Sequence, residues 1–167
     1  MKTLLRTLIS LAIVFWLGGL LFFPIVAAVT FSHLADTHSA GTIVGACLRI
    51  LHREGLYAGV LLALLFIMAS LMDVYPRQVL RGPMLMVVVM LLLTAVSQYA
   101  ILPRMETYRI ASGGAIDAAP VSDPNRIAFN RLHKLSTYVE EGVIVAGLLL
   151  VILLARAEGK EFRYSGR

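Results

Sequence analysis

The sequence predicts an all-α polytopic membrane protein, a single bundle of four transmembrane helices, and three observations carry that prediction. Of its 167 residues 59% are hydrophobic and only 15% are charged, against roughly 45–50% and about 25% in a soluble domain. The apolar residues fall into four runs, each near the roughly 20 residues needed to cross a bilayer. Prolines, glycines and charges collect between the runs. With a mean hydropathy of +0.82, the chain has too much apolar surface for a water-soluble shape of this size, so its solvent is lipid.

The first run extends from Leu8 to about Val29 behind Lys2 and Arg6. That opening resembles a secretory signal, but a cleaved signal has an apolar core of about 7–15 residues. This run is longer and holds Trp16, so an uncleaved helix over about 4–30 is expected. The second helix is expected over 40–72. Its apolar half is Leu56 to Met72, its polar opening holds Arg49, His52, Arg53 and Glu54, and Asp73-Val74-Tyr75-Pro76 ends it because proline cannot continue the ladder.

Gly82-Pro83 is expected to open the third helix and Pro103 to close it, giving 83–103. A polar loop over 104–122 follows, made irregular by Gly113-Gly114 and Pro120, with room for a short interfacial helix over Met105 to Ile110. Ser122-Asp123-Pro124 reads as a capping side chain followed by proline at the first helical position. The fourth helix then runs over 124–156, too long for the hydrocarbon alone, so its first turns project.

Four crossings put both termini on one side. Lys2, Arg6, Arg77, Arg81, Arg156, Lys160 and Arg163 flank that side, so the positive-inside rule places the termini in the cytoplasm of a cell whose inner membrane holds the chain. Arg131 and Lys134 lie close to the opposite end. The net charge of +5 is scattered over loops and termini, which favours lipid headgroups over nucleic acid as the charged partner. The lone Cys47 excludes an internal disulfide and every multi-cysteine metal motif. No nucleophile–base pair, phosphate loop or nucleotide motif is present, so nothing specifies an enzyme.

The polar residues inside the apolar runs are the candidates for function. On the fourth helix Asn130, His133, Thr137 and Glu140 share one stripe with Ser136 on its flank. Glu140 and Glu141 lie inside the expected outer hydrocarbon boundary, where charge is a functional hypothesis by default. A structural pairing with Arg49, Arg53 or Lys134 is the competing reading. On the second helix Gly41, Gly45, His52 and Gly59 fall close to one line with Gly55 beside it. The spacings Gly41–Gly45 and Gly55–Gly59 suit close helix packing in lipid. Gln98 and Tyr99 lie just inside the same boundary on the third helix. Tyr57, Tyr75, Tyr99 and Tyr108 read as interface anchors.

Three functions stay open. One is binding or passage of a small molecule or ion at this outer polar layer, lined by His52, Gln98, Tyr99, Asn130, His133, Thr137 and Glu140. The second is a redox protein in which His52 and His133 ligate a b-type haem or a metal ion. The third is an accessory subunit, or a homo-oligomer, docking through its glycine faces.

The chain resembles the transmembrane protein 205-like family of four-helix membrane proteins. The resemblance is carried by Trp16, Gly18, Phe22, Ala27 and Phe31, by Ala40-Gly41 with Gly45, and by Gln98-Tyr99 ahead of Pro103. Its strongest part is Asp123-Pro124 leading to Phe129-Asn130-Arg131-Leu132-His133-Lys134-Leu135-Ser136. It implies four helices and weight on His133, and it supplies no reaction. Glu140-Glu141 departs from the family, whose members often carry uncharged residues there.

Overall fold

A computed structural model of the protein describes residues 1–165, with side chains to Glu158. Lys160 and Arg163, counted above among the basic residues, lie outside the described side chains. The main helices are α1 (Lys2–His33), α2 (Thr37–Leu71), α3 (Arg77–Val96), α4 (Leu102–Ala111) and α5 (Pro124–Ser165). A π-helical turn over Ser97–Ile101 joins α3 to α4. Among the described residues four helical segments are long and apolar enough to span a membrane: α1, α2, the continuous Arg77–Ala111 rod and α5. The contacts run α1 to α2, α2 to α3, α3 to α5 and α5 back to α1, a closed ring of four.

Each helix turns one stripe inward and leaves the rest to lipid. In α2 the inward stripe is Leu48, His52, Gly55, Gly59, Leu62, Phe66 and Ala69, the alternating three- and four-residue spacing of a helix packed on its neighbours. Large apolar side chains such as Phe15, Phe22, Leu61, Leu64, Leu92 and Leu149 are exposed on the outside. In water that surface would aggregate. In a bilayer it meets matching solvent.

The helix starts follow local chemistry. Asp36 accepts hydrogen bonds from the Ser39 and His38 amides at 3.0 and 3.1 Å, satisfying two of the orphan donors of α2. Its carboxyl is held below the usual range by the Ser39 hydroxyl and then by those two amides. Asp123 accepts from the Arg126 amide at 2.9 Å, the cap expected ahead of Pro124.

The third span differs from the sequence expectation at both ends. The rod starts at Arg77, six positions before Pro83, and runs through Pro103 to Ala111. Proline removes one ladder hydrogen bond, and lipid offers the neighbouring backbone no competing partner, so the helix continues through it. At Pro103 the π turn also helps. The Leu102 amide bonds back five residues to the Ser97 carbonyl, so the ladder is already widened where the ring needs space.

At the end that carries the N-terminus, Lys2 Nζ donates to the Asp73 carbonyl at 3.0 Å and Arg6 to the Val74 carbonyl at 3.4 Å. Arg6 also lies 5.1 Å above the Tyr75 ring, and the Tyr75 hydroxyl donates to Glu158 at 2.7 Å. Tyr75 is therefore not the interface anchor expected from sequence. It is 1% exposed, because the loop after α2 folds back under the bundle, with Asp73 at a φ of +51°. Tyr57 and Tyr99 are exposed, as anchors are.

Candidate functional site: a buried His–Gln–Glu cluster

Three helices each place one polar side chain at the same level. His52 comes from α2, Gln98 from the π turn and Glu140 from α5. His52 is 1% exposed, and both its ring nitrogens are engaged. Nδ1 lies 3.2 Å from Gln98 Oε1, and Nε2 makes a very short contact with Glu140 Oε1. Measured at 1.5 Å per residue, the cluster lies about 24–31 Å from Leu71, Arg77 and Arg156 at the other end. Against a hydrocarbon core of about 30 Å, that places it next to the boundary opposite the end that carries the N-terminus.

The local sequence explains each position. His52 occupies one place in the otherwise apolar inward stripe of α2. Glu140 lies one turn from buried Ser136 and Val143, on the inward face of α5. Gln98 sits in the π turn, where an extra residue per turn re-aims side chains, so that Ser97 and Gln98 both reach the interior. Buried polar atoms surround the cluster in sequence. Thr94 Oγ1, Ser97 Oγ and Trp16 Nε1 have no hydrogen-bond partner among the described residues.

The proton count limits what the cluster can do. With the Gln98 carbonyl as acceptor, Nδ1 carries a hydrogen and donates it. A single proton shared between Nε2 and Glu140 makes the pair neutral as a whole on whichever atom it sits, which minimises the penalty of burying charge. Removing that proton leaves a single negative charge. Rotating the Gln98 amide then presents its NH2 to Nδ1, so Gln98 can serve either tautomer of His52.

The other sequence candidates lie elsewhere. Asn130, His133 and Thr137 are exposed, and the His133 ring stacks on Phe129 with centroids 6.2 Å apart. The 100° stripe that joins them to Glu140 leans away from the buried face of α5, which carries Ser136, Val143, Ala146 and Leu150, so only Glu140 turns toward a facing helix. His52 and His133 therefore do not face one another as an axial pair. Among the described residues no three histidine, cysteine or acidic side chains gather to hold a metal. Tyr99 points outward.

The expected arginine partners are also different. Arg49 lies 3.5 Å from Glu106, which also takes a 2.6 Å contact from Arg109. Glu140 pairs with His52, and Glu141 is exposed. Gly55 and Gly59 make room for the Trp16 indole. An added Cβ would strike Nε1 at Gly55 and lie 2.7 Å from the ring at Gly59. Gly41 and Gly45 have nothing within 4 Å of that position.

A family model described as Domain of unknown function (DUF4149) matches residues 11–111. The chain belongs to the DUF4149 family. The match runs from the first third of α1 to the end of α4, so the DUF4149 region supplies His52 and Gln98, while Glu140 comes from the helix after it. No curated protein and no solved structure matches the chain.

The sequence places His52, Gln98 and Glu140 in one polar layer but does not show that His52 bonds to both of the others. Helical periodicity groups Glu140 with His133, and nearby basic residues suggest an arginine partner. Thr94, Ser97 and the π turn carry no local signal, because no sequence pattern marks a π turn and short hydroxyl side chains are common in membrane helices.

Proposed function

We propose that this DUF4149 protein binds one exchangeable proton between His52 and Glu140 at the outer polar layer of the membrane, without conducting it across. The carrying observation is a fully buried histidine whose two nitrogens are already bonded to Gln98 and Glu140. That arrangement leaves room for a change of proton and none for an organic ligand. Inward of Thr94 the bundle is apolar for several turns, through Leu62, Phe66, Val87, Met90, Val143 and Leu150, so among the described residues no proton relay connects the cluster to the other end. Inside a membrane a protonatable pair of this kind marks function more often than chance placement.

The haem reading needs His52 to release Glu140 and His133 to turn inward, so the geometry favours the proton reading over it. The accessory-subunit reading loses Gly55 and Gly59 as docking surface, since Trp16 fills them. The resemblance to the transmembrane protein 205-like family supports the helix count and names no activity. The orientation we propose has both termini in the cytoplasm, supported by Lys2, Arg6, Arg77, Arg81 and Arg156 around that end.

The test is infrared difference spectroscopy of the reconstituted protein across a pH series. We expect one carboxylic band that comes and goes with pH, disappears in Glu140→Gln and persists in Glu141→Gln. Absence of a band assignable to Glu140 over the range in which the protein stays folded rejects the reading. Liposomes with an entrapped pH dye are expected to show no flux above empty vesicles, and a Glu140-dependent flux would refute the non-conducting part.

A further inference from the structure

We infer that the groove between α2 and α3, at the end that carries the N-terminus, binds one acyl chain of an anionic phospholipid with its phosphate on Arg77 and Arg81. The groove encloses about 510 Å³ and is walled by apolar side chains of both helices, among them Phe66, Leu71, Met84 and Val88, with Ser70 the one uncharged polar residue. Its only charged lining residues are Arg77 and Arg81. These two are one turn apart on one helix face. Both are exposed, and among the described residues no carboxylate pairs with either.

Length and charge identify the occupant. From Arg77 to Val88 the groove follows about 16 Å of helix, close to the roughly 15 Å of hydrocarbon in one leaflet. A chain lying in it therefore ends near the midplane while its headgroup stands at the level of the arginines. Two unpaired guanidinium groups there select a phosphate-bearing, net-negative headgroup, since arginine matches phosphate oxygens in bidentate geometry. Another groove shows the contrast. It lies between α1 and α2, holds about 430 Å³, and its charged lining residue is Glu54. A carboxylate disfavours the same lipid, so apolar walls alone do not define the site.

The experiment is native mass spectrometry of the full chain from micelles holding equal amounts of phosphatidylglycerol and phosphatidylcholine. The wild type is expected to retain phosphatidylglycerol in preference. Arg77→Gln with Arg81→Gln is expected to weaken that retention about tenfold or more, with circular dichroism unchanged. Ser70→Phe, which fills the groove, is expected to reduce retention of both lipids. Arg156→Gln, at the same end on α5, is expected to leave the preference unchanged. Excess inorganic phosphate is expected not to displace the lipid. Wild-type preference in the double arginine variant overturns the proposal, as does an equal loss in Arg156→Gln.

Discussion

His52 and Glu140 meet across the interface of α2 and α5, although 88 positions separate them in the chain. The contact joins the DUF4149 region to the helix that follows it, and Gln98 completes it from the π turn. A buried hydrogen-bonded group whose partner is deleted bears the full penalty of its desolvation. Glu140→Ala is therefore expected to destabilise the protein by about 1–3 kcal/mol. Glu140→Gln, which keeps an acceptor, should cost about 1 kcal/mol or less, and Glu141→Ala should stay within about 0.5 kcal/mol. Unfolding in detergent, followed by Trp16 fluorescence, gives the ranking. Equal effects at Glu140 and Glu141 would mean that the inward assignment is wrong.

The Trp16 indole lies against Gly55 and Gly59 where a Cβ has no space. Gly55→Ala is expected to cost about 1–3 kcal/mol by overpacking and to shift the emission of Trp16. Gly41→Ala and Gly45→Ala meet open space, so they should gain up to about 1 kcal/mol from helix propensity. The same fluorescence measurement separates the two pairs. Tolerance at Gly55 would contradict the close approach of α1 and α2.

Tyr75 ties the α2–α3 loop to α5 through Glu158. Tyr75→Phe removes the hydroxyl and keeps the ring under Arg6, so it is expected to cost about 0.5–1.5 kcal/mol. Tyr75→Ala empties a buried site and should cost about 3–5 kcal/mol. A thermal melt of the purified variants checks both. Exposed behaviour, with neither substitution felt, would return Tyr75 to the role of interface anchor.

The Asp36 cap has a pH signature. Its folded-state carboxyl is held below the ordinary value, chiefly by the Ser39 hydroxyl and then by the Ser39 and His38 amides. A depressed value means that the cap stabilises above the unfolded pKa, and that this contribution is lost as pH falls through the folded one. The protection of the Ser39 and Ala40 amides, measured against the exchange of an unstructured peptide at the same pH, is therefore expected to fall on acidification in the wild type. In Asp36→Ala protection should be low at every pH, whereas Asp36→Asn should stay protected without the acid step. A pH-independent protection factor in the wild type would rule the cap out.

Much of the architecture was legible in the chain because lipid imposes one rule everywhere. Every backbone group must be satisfied within its own segment, so an apolar run of sufficient length becomes a helix. Composition and the four runs therefore determined the all-α class and the four spans, and Asp123-Pro124 marked the start of the last. The same rule made Pro83 and Pro103 poor stop signals, since a helix in this solvent continues past a single lost bond. Only the tertiary structure decided which polar side chains meet. A 100° stripe tells which residues share a helix face, but not which face a neighbour covers or where along the helix the neighbour ends. Asn130, His133 and Thr137 share the stripe of Glu140 but are rotated away from the buried face of α5, whereas His52 and Gln98 reach Glu140 because three helices converge at that one level.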